Sequence, residues 1–181
     1  MRLRYRHCVG CDGFVLVFQK SLTQFQTFNQ IILCYLEVTE DNLIECLKLS
    51  KTLLEDQDKA VASNAVSIAQ AHFAKNAWFR AIYAGDTMVG FIMLDYTPVP
   101  ELGDIKHAFL WRFMIGGNYQ KKGYGGDALR LLFENLKEQG YEKLLTSCVV
   151  KEPSPLQFYL KLGFVDTGRW DDDEKILLRD L

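Results

Sequence analysis

The chain has 181 residues, 49% of them hydrophobic and 24% charged. That is the balance of an ordinary soluble globular domain, able to bury a core without disulfides or a structural metal. A formal charge of −2 is too even for a nucleic-acid binder, whose footprint is strongly basic. The figure averages two unlike parts. Arg2, Arg4, Arg6 and Lys20 against Asp12 give residues 1–31 a net +3, and subtracting that from −2 leaves −5 for residues 32–181. The sign of the larger part suits a basic partner.

Five cysteines, Cys8, Cys11, Cys34, Cys46 and Cys148, form an odd and scattered set. They read as reduced thiols and place the protein in the cytoplasm. Cys8 and Cys11 make a CxxC, but no second pair follows at zinc-ribbon spacing and His7 cannot easily complete a tetrahedral site, so no metal is expected. No apolar run approaches the ~20 residues of a membrane span, and the basic start lacks a cleavage signature.

In chain order, residues 1–31 carry short aromatic-rich stretches (Phe14, Phe18, Phe25, Phe28) with no convincing period, and read as an added arm. The β-branched and apolar run from Ile31 to Val38 suits a buried first strand. Thr39, followed by Glu40 and Asp41, caps a helix running to about Glu55. A second helix fits Asn64 to Phe73. Strands Trp78–Tyr83 and Thr87–Tyr96 flank Gly85-Asp86, a two-residue hairpin signal. After a proline loop, Lys106 to Ile115 is another strand. A helix follows from about Gly125 to Gln139, with Leu129, Leu132, Phe133 and Leu136 as its stripe. Lys143–Val150 reads as a strand and Pro155–Leu162 as a helix opened by proline. Two short strands, near Phe164–Thr167 and Lys175–Leu178, finish the chain. The fold class is mixed α/β without repeats or an internal linker.

The chemistry concentrates in Gln120-Lys121-Lys122-Gly123-Tyr124-Gly125-Gly126, between a strand and a helix. Glycines let backbone N–H groups crowd a ligand, and the helix N-terminus adds about half a positive charge. A phosphate or pyrophosphate is the natural guest, with Lys121 and Lys122 beside it. The plainer alternative is a turn that needs positive φ. Gly123-x-Gly125-x-x-Ala128 formally satisfies the dinucleotide fingerprint, but seven residues separate it from its strand and 53 residues follow Ala128. A Walker A loop fails, since no Gly-Lys-Ser/Thr is present.

The Gln120-x-x-Gly123-x-Gly125-Gly126 loop resembles the pyrophosphate-binding signature of the GCN5-related N-acetyltransferases (GNAT). Phe158-Tyr159-Leu160-Lys161-Leu162-Gly163-Phe164 resembles that family's closing helix and strand. The resemblance covers about residues 32–181, leaving residues 1–31 unmatched. It implies an α+β domain with a six- to seven-stranded central sheet, flanked by helices and splayed between its fourth and fifth strands.

It further implies direct transfer of acetyl from acetyl-CoA to a neutral amine through a tetrahedral intermediate, with no metal. The chemistry needs an oxyanion donor, a proton for the departing thiolate, and loss of a proton from the amine. Backbone N–H of Phe113-Met114-Ile115 would be the donor, and Tyr159 the acid, a phenol that stays protonated at neutral pH. No base stands out. The position where relatives carry a strand glutamate is close to Ser147, and Glu152 is offered as an alternative acceptor through water. His72 and His107 read as core or surface histidines and Cys148 as a packing residue.

Leu110-Trp111-Arg112-Phe113-Met114-Ile115, Ser154-Pro155-x-x-Phe158-Tyr159 and the acidic stretch ending near Glu174 resemble bacterial spermine/spermidine (diamine) acetyltransferases. That resemblance implies a small-molecule polyamine, with Glu55, Asp95 and Glu152 as candidate substrate carboxylates. Glu101, Asp104 and Asp171–Glu174 are further available acids. An aminoglycoside, a protein N-terminus or lysine, or acetyl-CoA binding without turnover are the competing readings. Neither a nucleic acid nor a membrane is an expected partner. The arm is open as a lid, as a homodimer contact, or as an upstream extension.

Overall fold

Among the described residues, seven strands form one sheet: β1 (Leu33–Leu36), β2 (Ala77–Ala84), β3 (Thr87–Asp95), β4 (His107–Ile115), β5 (Lys143–Val149), β6 (Val165–Asp171) and β7 (Glu174–Asp180). The computed structural model describes residues 32–54, 57, 60–152 and 154–181. The arm with its CxxC, and Glu55, lie outside the described residues. Helices α1 (Glu40–Ser50) and α2 (Asn64–Phe73) separate β1 from β2, α3 (Tyr124–Glu138) joins β4 to β5, and α4 (Leu156–Lys161) joins β5 to β6.

The sheet order is β1-β2-β3-β4-β5-β7-β6, antiparallel throughout except for the parallel pair β4–β5. This is the mixed, helix-flanked sheet expected from the sequence. The final hairpin is laid down in reverse: β7, not β6, pairs with β5 along Lys143–Val149. Strand β6 is left as the outer edge, exposed along most of its length.

Helices cover both faces of the central strands, which explains why β3 is an almost unbroken apolar run rather than an alternating one. Ile82, Ile92 and Leu94 share one core with Leu129, Leu132 and Leu136 of α3. Ala81, Phe91 and Met93 share the other with Cys46 and Leu49 of α1. Burying such side chains contributes about 1.5–3 kcal/mol each.

Two sequence boundaries shift for local reasons. Helix α1 stops at Ser50, not near Glu55, because the Thr52 hydroxyl turns to donate to Leu49 C=O (2.7 Å) and accept from Gly117 N–H (2.8 Å). The last hairpin is longer than its apolar residues suggest. Asp172 adopts φ 50° and the Asp171↔Glu174 pair closes a two-residue turn, so polar residues on both sides are strand.

Candidate active site

Strands β4 and β5 pair only from His107↔Lys143 to Leu110↔Thr146. Thr146 Oγ1 donates to Leu110 C=O (3.0 Å), and beyond that contact the strands part. The cause lies in β4. Arg112 faces Met93 and Leu110 faces Leu94 of β3, so Trp111 is an extra residue, a β-bulge that bends β4 away from β5. The bulge also reverses which face each side chain takes. Ala108 and Leu110 before it, and Phe113 and Ile115 after it, share the α3 side, while Trp111 and Met114 share the α1 side.

A cavity of about 710 Å³ fills the gap. Its walls are Leu110–Ile115 of β4, Thr146–Cys148 of β5, Phe158 and Tyr159 of α4, the loop from Tyr119 to Gly126, and Leu53, Gln57 and Ala60–Ala62 beyond α1. Gly116 N–H is bonded to Val89 C=O on the β3 side (2.9 Å). Strand alternation therefore turns the N–H and C=O of Phe113 and Ile115 toward the gap, where β5 no longer meets them. One of these groups is already engaged: Gln120 Nε2 donates to Ile115 C=O (2.9 Å). The Gln120 and Gln57 amides bond each other reciprocally at 3.1 Å, clamping the loop across the cavity mouth.

The glycine-rich loop turns into the N-terminus of α3. Gly123 takes φ 91° at the α3 N-terminus and Lys121 takes φ 60°. The first bond of the helix is Asp127 N–H to Gly123 C=O (3.1 Å), so N–H of Tyr124, Gly125 and Gly126 precede the helical ladder. Lys121, Gly123, Gly125 and Gly126 line the cavity. Lys122 leans instead over the Tyr119 ring (5.6 Å), and Tyr124 packs against the core.

Tyr159 is buried between Phe158 and Phe164, with ring centroids 5.4 Å from each. Burial pushes its phenol pKa well up; the Thr146 hydroxyl pulls the other way, and Cys148 and Glu174 add to the rise. The phenol is thus held in its protonated form. Cys148 is raised to about 11, by burial first and then by Glu174, which keeps it a thiol and a packing residue. His107 is structural: Nε2 accepts from Val99 N–H (2.9 Å) and Nδ1 donates to Ile105 C=O (2.7 Å). His72 lies exposed against Phe73.

Two of the candidate substrate carboxylates lie elsewhere. Asp95 accepts from Thr97 N–H (2.9 Å) and Oγ1 (2.7 Å), holding the turn after β3. Glu152 is exposed and accepts from Ser154 N–H (3.0 Å). Glu101 pairs with Arg169 (3.3 Å). Among the described residues, the acid that lines the cavity is Glu174, which accepts a hydrogen bond from Ser147 Oγ. In the sequence it is only the last of an acidic run. Its placement follows from β7 lying beside β5, a pairing that no local pattern announces. Gln57, Tyr119 and Thr146 are further polar wall residues that sequence reasoning did not single out, and Arg112 entered it only as part of the β4 motif.

Among the described residues, no group of three or more His, Cys, Asp or Glu is placed to hold a metal ion, and no helix is long and apolar enough to cross a membrane.

A splayed parallel pair, a glycine loop at a helix N-terminus and a buried phenol meet in one cavity. The model of the Acetyltransferase (GNAT) family matches residues 48–164. Two Bacillus subtilis proteins are each 30% identical over 152 residues, covering 80% of this chain and 95% of theirs. They are a probable spermine N(1)-acetyltransferase (subsp. natto, strain BEST195) and a spermine/spermidine N(1)-acetyltransferase (strain 168). A GNAT family acetyltransferase from Elizabethkingia anophelis, solved with acetyl-CoA bound, superposes with a TM-score of 0.60 at 17% identity, over 85% of this chain and 100% of that one. The chain belongs to the GNAT acetyltransferase family. By family it is an acetyltransferase.

Proposed function

We propose that the protein acetylates a primary amine of a polyamine by direct transfer, with Tyr159 as general acid. The observation that carries the mechanism is the junction of Tyr159 with the unpaired edge of β4 in one cavity. Phosphates of the donor sit on the Gly123–Gly126 N–H groups, with Lys121 adding positive charge. The thioester carbonyl lies along β4, where N–H of Phe113 or Ile115 meets the developing oxyanion; preorganised donors of this kind contribute about 3–4 kcal/mol. Attack by the amine forms the C–N bond, the C–S bond breaks, and the thiolate takes the Tyr159 proton.

Support for a polyamine comes from the names of the two Bacillus relatives and from the net −5 of residues 32–181, which steers polycations. Thiol release from acetyl-CoA against a panel of spermine, spermidine, diamines, aminoglycosides and peptides is the test. Turnover confined to aminoglycosides or peptides would replace the polyamine. Donor binding without turnover on any amine would leave a binding module.

A further inference from the structure

The mechanism so far leaves the ammonium of the acceptor without a proton acceptor. The strand glutamate that the family resemblance implies for β5 has no counterpart here, its position being close to Ser147. The structure supplies one from the next strand. Glu174 opens β7 opposite Val149, and Ser147, two residues back on the same face of β5, donates to its Oε2. Among the described residues that line the cavity, Glu174 is the one acid.

Its direction of approach matters. Thr146 and Cys148 share the α3 and α4 side of the sheet with Tyr159, and alternation turns Ser147, with Glu174, to the opposite side. Both sides communicate only where β4 and β5 have parted. The acid and the carboxylate therefore reach one gap from opposite faces, which suits a donor entering on the first side and an amine on the second. Tyr159, Arg112 and Glu174 all line this one cavity.

Building on the direct-transfer reading, we infer that Glu174 is the general base of the reaction, held in place by Ser147. The acceptor ammonium passes one proton to the Glu174 carboxylate, and the freed nitrogen lone pair attacks the thioester carbon. The C–S bond breaks, and the thiolate takes the Tyr159 proton. The second proton leaving nitrogen restores the Tyr159 phenol, and the first passes from Glu174 to solvent. The sum is ammonium plus acetyl-CoA giving amide, free thiol and one proton.

The test is the pH profile of kcat/KM for Glu174→Gln and Ser147→Ala, with the wild-type protein assayed first on the amine panel. Donor binding, measured by calorimetry, verifies that each variant is folded. Glu174→Gln is expected to lose about 100-fold at pH 7, the ordinary worth of a positioned base. The deficit should shrink as pH approaches the amine's own pKa, where the acceptor arrives neutral. Ser147→Ala should lose less and keep the wild-type profile shape. A Glu174→Gln enzyme within threefold of wild type at pH 7, or equally impaired at every pH, overturns the assignment. Absence of wild-type turnover on every amine overturns the transfer reading itself, and this inference with it.

Discussion

Phe158 lies parallel to Phe113, with 6.1 Å between ring centroids and 9° between planes. The helix that carries Tyr159 is thereby keyed to the splayed end of β4, the strand whose backbone would receive the oxyanion. Tyr159 and the free edge of β4 are registered to each other through this aromatic contact. Replacing Tyr159 by Phe keeps that contact and removes only the proton. Turnover should fall by about 100-fold or more while acetyl-CoA affinity stays within about twofold, measured by steady-state kinetics and calorimetry.

Burial, first among its causes, raises the Tyr159 pKa, so the folded protein holds this proton more firmly than the unfolded chain does. The sign follows directly. The stabilising contribution is fully present below the unfolded value near 10 and is lost as pH climbs from there toward the folded value. Tyr159→Phe should consequently lose less stability than wild type between about pH 10 and 11 in denaturant titrations. The same reasoning predicts that kcat shows no Tyr159-dependent decline between about pH 7 and 9.

Gln120 ties the cradle to β4 through Ile115 C=O and to Gln57 across the cavity mouth. Truncation to Ala leaves a carbonyl and an amide without partners, a cost of about 1–3 kcal/mol. The expected outcome is a KM for acetyl-CoA raised by about tenfold, with kcat changed less than KM.

Gly117 is required by contact. A β-carbon there would stand 2.0 Å from Thr52 C=O, a rigid backbone atom. Gly117→Ala should separate the α1 end from the β4 loop and lose about 1–3 kcal/mol, as overpacking does. In a chain of this size each kcal/mol lowers Tm by about 2–4 °C, readable by thermal denaturation. Gly85→Ala gives a control of different origin, since its positive φ is strained yet no atom lies within 4 Å.

The acidic balance of residues 32–181 predicts a salt-dependent encounter with polycations. The Debye length shortens from about 30 Å to about 10 Å between 0.01 and 0.1 M salt. Across that range kcat/KM should fall several-fold for spermine and least for a monoamine, the ordering of amines by charge being the diagnostic result.

Local pattern along the chain is enough to mark the elements and part of the candidate site. Period and caps marked α2 and α3 closely, because each helix buries one stripe and its ends need local partners. The glycine cradle and Tyr159 were legible for a similar reason: their chemistry is written within a few consecutive residues. Glu174 was not. It becomes a cavity residue only because β7, rather than β6, docks beside β5, and because Ser147 then lies diagonally across from it. The bulge at Trp111 was equally hidden, since an extra residue is defined only against the partner strand. Strand order and register depend on which distant backbones share hydrogen bonds, and those choices decided where the gap opens and which carboxylate faces it.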